Sequence, residues 1–244
     1  MRRIFLICML MAAACNLHAQ GNATFHVFPQ IADGIKAGTT LTGYVSSFLV
    51  TNTSNQPSNC TIQLYGDVAN RLAGASSFTL QTSGSSTFIT TALGANSLLP
   101  LNTGYATLSC SQPVAAAVLY AYVSLAGVLS GATVFSSPPA TRAQLLAVPV
   151  PGTRLAVALA NNTNASAQYQ LALVTSAGQT IATATLTVPA QSNVSKFIDE
   201  LMTVPPNFAG AFTVTSLGSA QFSLLGLIFS GDVFTSQPAA ILAQ

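Results

Sequence analysis

The side chains able to do chemistry are few and far apart. Proton transfer near neutral pH calls for a histidine or a tuned carboxylate. Beyond the first nineteen residues the chain offers one histidine, His26. A nucleophilic serine needs such a base and a third group to orient it, set in a local frame such as the Gly-x-Ser-x-Gly elbow. Serines are plentiful, but that elbow is missing and His26 has no companions in sequence, so it reads as a packing or surface residue. Glycoside hydrolysis needs two carboxylates facing each other across a sugar. The acids are Asp33, Asp67, Asp199, Glu200 and Asp232. Asp199 and Glu200 are adjacent and point in neighbouring directions, which suits a solvated helix face. The other three each neighbour a glycine and read as turn residues. No His, Cys, Asp or Glu cluster has metal-ligand spacing, and no glycine-rich phosphate loop occurs. The expectation is a non-catalytic protein with no cofactor and no metal.

Two further groups of residues could matter. Cys60 and Cys110 are the cysteines outside the N-terminal region. In an oxidising compartment such a pair suggests one disulfide, a staple within the first half of the chain, with two buried thiols as the alternative. Aromatic rings are the usual platform for sugars. There is no tryptophan, but Tyr65, Tyr105, Tyr120 and Tyr122 all lie in the first half. Tyr120 and Tyr122 are two apart and share a strand face, so they form a possible ligand face as well as a candidate core or rim.

The compartment is read from the N-terminus. Arg2 and Arg3, the apolar run Ile4 to Ala14 and the small residues up to Ala19 form a secretory signal over residues 1–19. Cleavage after Ala19 or after Ala14 both fit. A lipoprotein anchored through Cys15 is the less favoured alternative, because Ala12 stands where such boxes carry Leu. The whole chain carries seven Lys and Arg against five Asp and Glu. Without Arg2 and Arg3 five bases face five acids, and net charge is zero. Charged residues are 5% of the chain, against roughly 25% in ordinary soluble proteins. No basic patch can neutralise phosphates, which argues against nucleic acid as a partner. Later apolar runs are short and broken by Gly, Ser and Thr, so no membrane span is expected in the mature chain. Six N-x-S/T sequons, at Asn22, Asn52, Asn59, Asn161, Asn164 and Asn193, are explained by an Asn-, Ser- and Thr-rich composition.

The elements that carry these residues are strands. CTIQLYG (60–66) alternates between two faces, and TIATATLTV (180–188) does so with six β-branched side chains in its nine residues. Turn clusters TNTSNQPSN and NNTNAS follow the strands YVSSFLV and RLAVALA. SKFIDELM (195–202) is the one helix candidate. It ends before Pro205-Pro206, and its counterpart at 91–102 lacks the charges. Residues 20–43, with Pro29, Gly34, Gly38 and Gly43, read as a short strand and a loop. Two long stretches share one plan. GYATLSCSQPVAAAVLYAYVSLAGVLSGATVFSSP (104–138) and GAFTVTSLGSAQFSLLGLIFSGDVFTSQP (210–238) both open on G-x-x-T and close on S-G, V-F and S-x-P. Pro138-Pro139-Ala140-Thr141 reads as a linker. Strands every 8–12 residues with turn signals between them indicate a sandwich. The fold class expected is all-β: two tandem immunoglobulin-like β-sandwich domains related by an internal repeat, residues 20–140 and 141–244, with one short helix in the second. A single larger sandwich with shared sheets is the alternative.

The segments FPQIADG…YVSSFLVTNTSNQPSNCTIQLYGD and RLAVALANNTNASAQYQLALVTSAGQTI, then SKFIDEL and F-x-G-x-F-x-V-x-S from Phe208, resemble uncharacterised secreted tandem β-sandwich repeat proteins of soil bacteria of the acidobacterial kind. The resemblance spans most of residues 25–240. It implies a fold and an extracellular setting, and brings no catalytic residues. The reading is a secreted or cell-envelope protein of structural or adhesion type with a protein or polysaccharide partner. A carbohydrate- or polymer-binding module is the alternative. Uncharged edge strands allow self-association.

Overall fold

A computed structural model of the chain describes residues 23–36, 42–67, 75–90, 100–124, 126–148 and 150–243. The signal segment with Cys15, Asn22, Arg71 and the connector 91–99 lie outside the described residues. The described chain is almost entirely strand, with one single-turn helix.

The first half holds β1 (Ala23–Ile35), β2 (Thr42–Asn52), β3 (Ser58–Gly66), β4 (Ala75–Leu80), β5 (Ser85–Ile89), β6 (Asn102–Ser124) and β7 (Gly127–Phe135). All belong to one antiparallel sheet folded back on itself. The long β6 is the spine. Its first part pairs with β1 and β3, and its second part, from Val114, pairs with β2 and β7. Pro113 sits where β6 passes between these lobes, a position that needs no ladder N–H. Its carbonyl instead accepts from Thr53 N and Oγ1. The strand runs through Pro113 without a break.

The second half holds β8 (Arg142–Ala147), β9 (Thr153–Asn161), β10 (Ala167–Thr175), β11 (Thr180–Val188), β12 (Ser192–Phe197), α1 (Ile198–Leu201), β13 (Gly210–Ser216), β14 (Ser223–Ser230), β15 (Val233–Pro238) and β16 (Ala240–Ile241). One sheet has the order β11-β10-β13-β8-β16, the other β12-β9-β14-β15. Tyr169, Leu171, Phe212 and Leu145 of the first pack on Leu159, Phe222 and Leu224 at the second. Gly226 lets the sheets approach, since a Cβ there would stand 3.1 Å from Leu145 Cδ2. The order β4-β3-β6-β1 of the first half matches β11-β10-β13-β8, and β5-β2-β6-β7 matches β12-β9-β14-β15. The helix expected over 195–202 is a single turn. Residues 195–197 are instead drawn into β12, whose ladder to β9 runs to Phe197.

Among the described residues the strand ladders keep to each half, but the core does not. The β12-β9-β14-β15 sheet is covered on both faces. Leu155, Val157, Leu159 and Leu224 face its partner sheet, while Ala158, Leu225, Leu227 and Phe234 join the cluster of Phe28, Tyr44, Phe48, Val118 and Tyr120 in the first half. A strand buried on both sides reads as a continuous apolar run, which is how RLAVALA and SLLGLIF are written. The opening segment is the main correction to the sequence reading. In place of a short strand and a loop, β1 spans 13 residues and is buried over most of its length. It lies between β6 and β2, with β9 and β14 against it. Pro29 is accommodated where the β1–β6 register shifts between Phe28 and Ile31. Asp33, expected in a turn, lies within this strand, 1% exposed. The expected linker is also tied down: Ala140 bridges Phe222, and Ser137 N donates to Val27 O.

Candidate functional site

Cys60 and Cys110 form the disulfide. They stand directly opposite each other on β3 and β6, so the bond joins neighbouring strands of one sheet. Structural disulfides of this kind persist in oxidising compartments. Among the described residues no helix is long and apolar enough to cross a membrane.

Tyr120 and Tyr122 point into the first-half core and are nearly inaccessible. Tyr120 stacks on Tyr44 at 5.1 Å and meets the edge of Phe234 at 5.2 Å. Tyr122 OH donates to Thr42 Oγ1 at 3.0 Å. Burial, with Tyr44 adding to it, pushes the Tyr120 hydroxyl well above the usual phenol range, so it stays protonated. Tyr65 and Tyr105 stack at 4.4 Å, and Tyr105 OH donates to Asn162 Oδ1 across the seam between the halves.

His26 is buried. Its Nε2 lies 3.1 Å from the carbonyls of Ala23 and Val114, so that nitrogen carries the proton and Nδ1 accepts from Ser136 Oγ at 2.9 Å. Desolvation lowers its pKa, and the two carbonyl hydrogen bonds oppose the shift in part. The imidazole is a core strut held neutral. Asp199 and Glu200 sit on α1 as half-exposed partners of Arg154, which forks onto Asp199 at 2.8 Å and covers the Phe197 ring at 3.6 Å. Glu200 also accepts from Phe197 N, capping the turn.

A cleft of about 360 Å³ lies on the seam. Tyr44, Tyr120 and Leu101 line it from the first half, and Ala156, Ala158, Leu227, Phe197 and Phe229 from the second. On its wall the exposed Ser195 Oγ donates to the buried Gln30 Oε1, and the Gln30 side chain also hydrogen-bonds the Tyr120 hydroxyl. Asn193 Nδ2 fastens the same edge to Pro29 O and Gly104 O. At the rim Lys36 pairs with Asp232 at 3.4 Å, linking one half to the other. Sequence reasoning missed this site because its walls come from positions up to two hundred residues apart. The nearest signal was the run Ala156, Ala158 and Ala160, small residues on one face of a strand whose other face carries Leu155, Val157 and Leu159.

A second feature is the outer face of β5-β2-β6-β7. Leu49 pairs with Ala117 and Ala117 with Phe135, making one row across three strands. Ile89, Ser47, Leu119 and Thr133 make the next. Leu49, Ile89, Leu119 and Phe135 are all exposed, and neither row contains a charge.

No family model and no curated protein sequence matches the chain. Among solved structures, a protein of Parabacteroides distasonis described as secreted aligns at 11% identity, covering 86% of this chain and 83% of its own, with a TM-score of 0.23. The Macrobrachium rosenbergii nodavirus structure aligns at 8% identity over 95% and 97%, TM-score 0.19. A Bacteroides uniformis β-glucuronidase aligns at 8% identity over 82% of this chain and 26% of its own, TM-score 0.20. Similarity at this level carries no inference about function.

Proposed function

We propose that the chain is a secreted or cell-envelope β-sandwich of structural or adhesion type, non-catalytic, exported by the signal over residues 1–19 and holding its partner through uncharged sheet faces. The observation that carries this is the outer face of β5-β2-β6-β7, where Leu49, Ile89, Leu119 and Phe135 stand exposed in register with no charge among them. Contiguous exposed apolar surface of this kind marks interaction sites. In this reading the halves are two tandem domains, 20–140 and 141–244, that arose by duplication. The matching strand orders support it. So do Asn52 and Asn161, which end equivalent strands and hold the following turns with the same bonds to the residues two and four positions on. Each is immunoglobulin-like in the broad sense of a Greek-key sandwich, and the resemblance to acidobacterial secreted repeats belongs to the same proposal.

The test is retention of the purified mature protein on cell-envelope fractions. Binding through an uncharged face persists in 0.5 M salt, since there is little to screen, and Leu119→Glu weakens it. Retention abolished by salt and indifferent to Leu119→Glu would overturn the reading. The alternative, a neutral polysaccharide-binding module, is favoured by the opposite side of the molecule. There Thr183, Thr185 and Thr187 of β11 stand exposed beside Gln168 and Gln170 of β10. A pull-down on insoluble polysaccharides lost on Thr185→Lys would select it.

A further inference from the structure

We infer that the seam cleft is a binding site for a neutral, mostly apolar small molecule carrying one hydroxyl or carbonyl group. This goes beyond the adhesion reading and uses a different surface.

Three observations set the ligand's chemistry. The first is size. A cleft of about 360 Å³ falls in the range of small-molecule sites and well below that of a folded partner's interface. The second is the walls: Tyr44, Leu101, Ala156, Leu227 and Phe229 give aromatic and aliphatic surface around the opening. Ala156 and Ala158 leave the space that larger residues on that face of β9 would fill. The third is charge. Of the charged side chains around the cleft, Lys36 is matched with Asp232 and Glu200 with Arg154, which also holds Asp199; Lys196, opposite Val157 in register, alternates with Ser195 and Phe197 and so projects from the other face of β12. A charged ligand would have to displace one of these pairs without gaining an uncompensated partner. A neutral one needs to displace nothing. The polar pair on the wall, buried Gln30 with exposed Ser195, is where a ligand hydroxyl or carbonyl finds a hydrogen bond. Gln30 is 4% exposed, so a ligand reaching it is largely removed from water, and that hydrogen bond fixes its orientation.

The site is also a joint. Its walls come from β1, β2 and β6 on one side and β9, β12 and β14 on the other, so an occupant touches both halves at once. A ligand that binds only the assembled molecule stabilises it in proportion to its occupancy.

The experiment uses the mature protein and the neutral dye N-phenyl-1-naphthylamine, followed by fluorescence and by thermal unfolding. The expected result is one dye per chain, an affinity unchanged between low and 0.5 M salt, and a rise in the unfolding temperature. A neutral competitor, 1-naphthol, displaces the dye at least tenfold more effectively than 1-naphthoate or naphthylmethylammonium. Thr103→Trp places a large ring at the exposed lip of the cleft without touching the core, and is expected to weaken dye binding at least tenfold. Ser195→Ala is expected to weaken 1-naphthol and leave the dye, which has no hydroxyl, nearly unchanged. Leu119→Glu, on the outer face, leaves both alone. Dye binding that survives Thr103→Trp, disappears in Leu119→Glu, or prefers the charged naphthalenes overturns the inference. Because Leu119→Glu also tests the adhesion reading, failure of one proposal is separable from failure of the other.

Discussion

Phe234 belongs to the second half by sequence and to the first by packing, so truncating it asks whether the two halves unfold as one. Its ring is 4% exposed, lies 5.2 Å from those of Tyr120 and Phe229, and approaches Tyr44 at 6.3 Å. Phe234→Ala removes a buried aromatic at a site fenced by three other rings, where little can collapse into the gap. Such truncations cost about 3–5 kcal/mol. For a cooperative unit of this size each kcal/mol lowers the unfolding temperature by about 2–4 °C, so the midpoint is expected to fall by about 6–20 °C. The distribution of the loss matters more than its size. With a shared core, hydrogen exchange should accelerate together in peptides from β3 and β6 and in peptides from β10 and β13. The loss of protection should reach about two to four decades, the same free energy expressed in exchange rates. Calorimetry should show one transition that moves as a whole. Two resolved transitions, of which only the one reporting residues 142–241 shifts, would refute the argument and make the seam a contact between independent sandwiches.

Four further outcomes follow from the same geometry. Asn161→Ala strips three carbonyls of a donor, those of Ala165, Val188 and Pro189, and leaves Thr163 N without its acceptor; a loss of about 2–4 kcal/mol in urea unfolding is expected, with Asn52→Ala similar. Tyr169 has a buried hydroxyl with no hydrogen-bond partner among the described residues, and burial pushes its pKa up to about 12; Tyr169→Phe should be neutral or stabilising by about 1 kcal/mol, and a clear destabilisation would show that the hydroxyl has a role. His26 has a pKa below its unfolded value of about 6.5, so the unfolded chain binds the extra proton first and stability falls as pH drops below that value, levelling off beneath the folded pKa; His26→Gln should flatten that part of a urea-midpoint profile. Reducing Cys60–Cys110, which closes a separation of 50 residues, should cost at most about 4 kcal/mol in the chain-entropy model, and non-reducing digestion should recover the two cysteines in one linked peptide pair.

What was legible in the sequence is what local chemistry decides. TIATATLTV becomes β11 because alternation with β-branched residues suits a strand with one covered face, and the Asn-rich clusters become turns because the Asn side chains satisfy the turn backbone. What was not legible depends on which faces meet. Pro29 and Gly34 made the opening segment look like a loop, yet β1 is held from outside itself by β6, β2 and the second half, and that neighbourhood overrides the weak local preference. Tyr120 and Tyr122 were correctly placed on one face, but period two says nothing of whether that face meets water or Phe234. The seam could have been inferred from one pattern. RLAVALA and SLLGLIF lack alternation, and an antiparallel strand with no polar side must be covered twice. A lone sandwich covers each of its strands once. The second cover therefore had to be the other half, and the cleft lies where that cover is incomplete, beside the small side chains of Ala156 and Ala158.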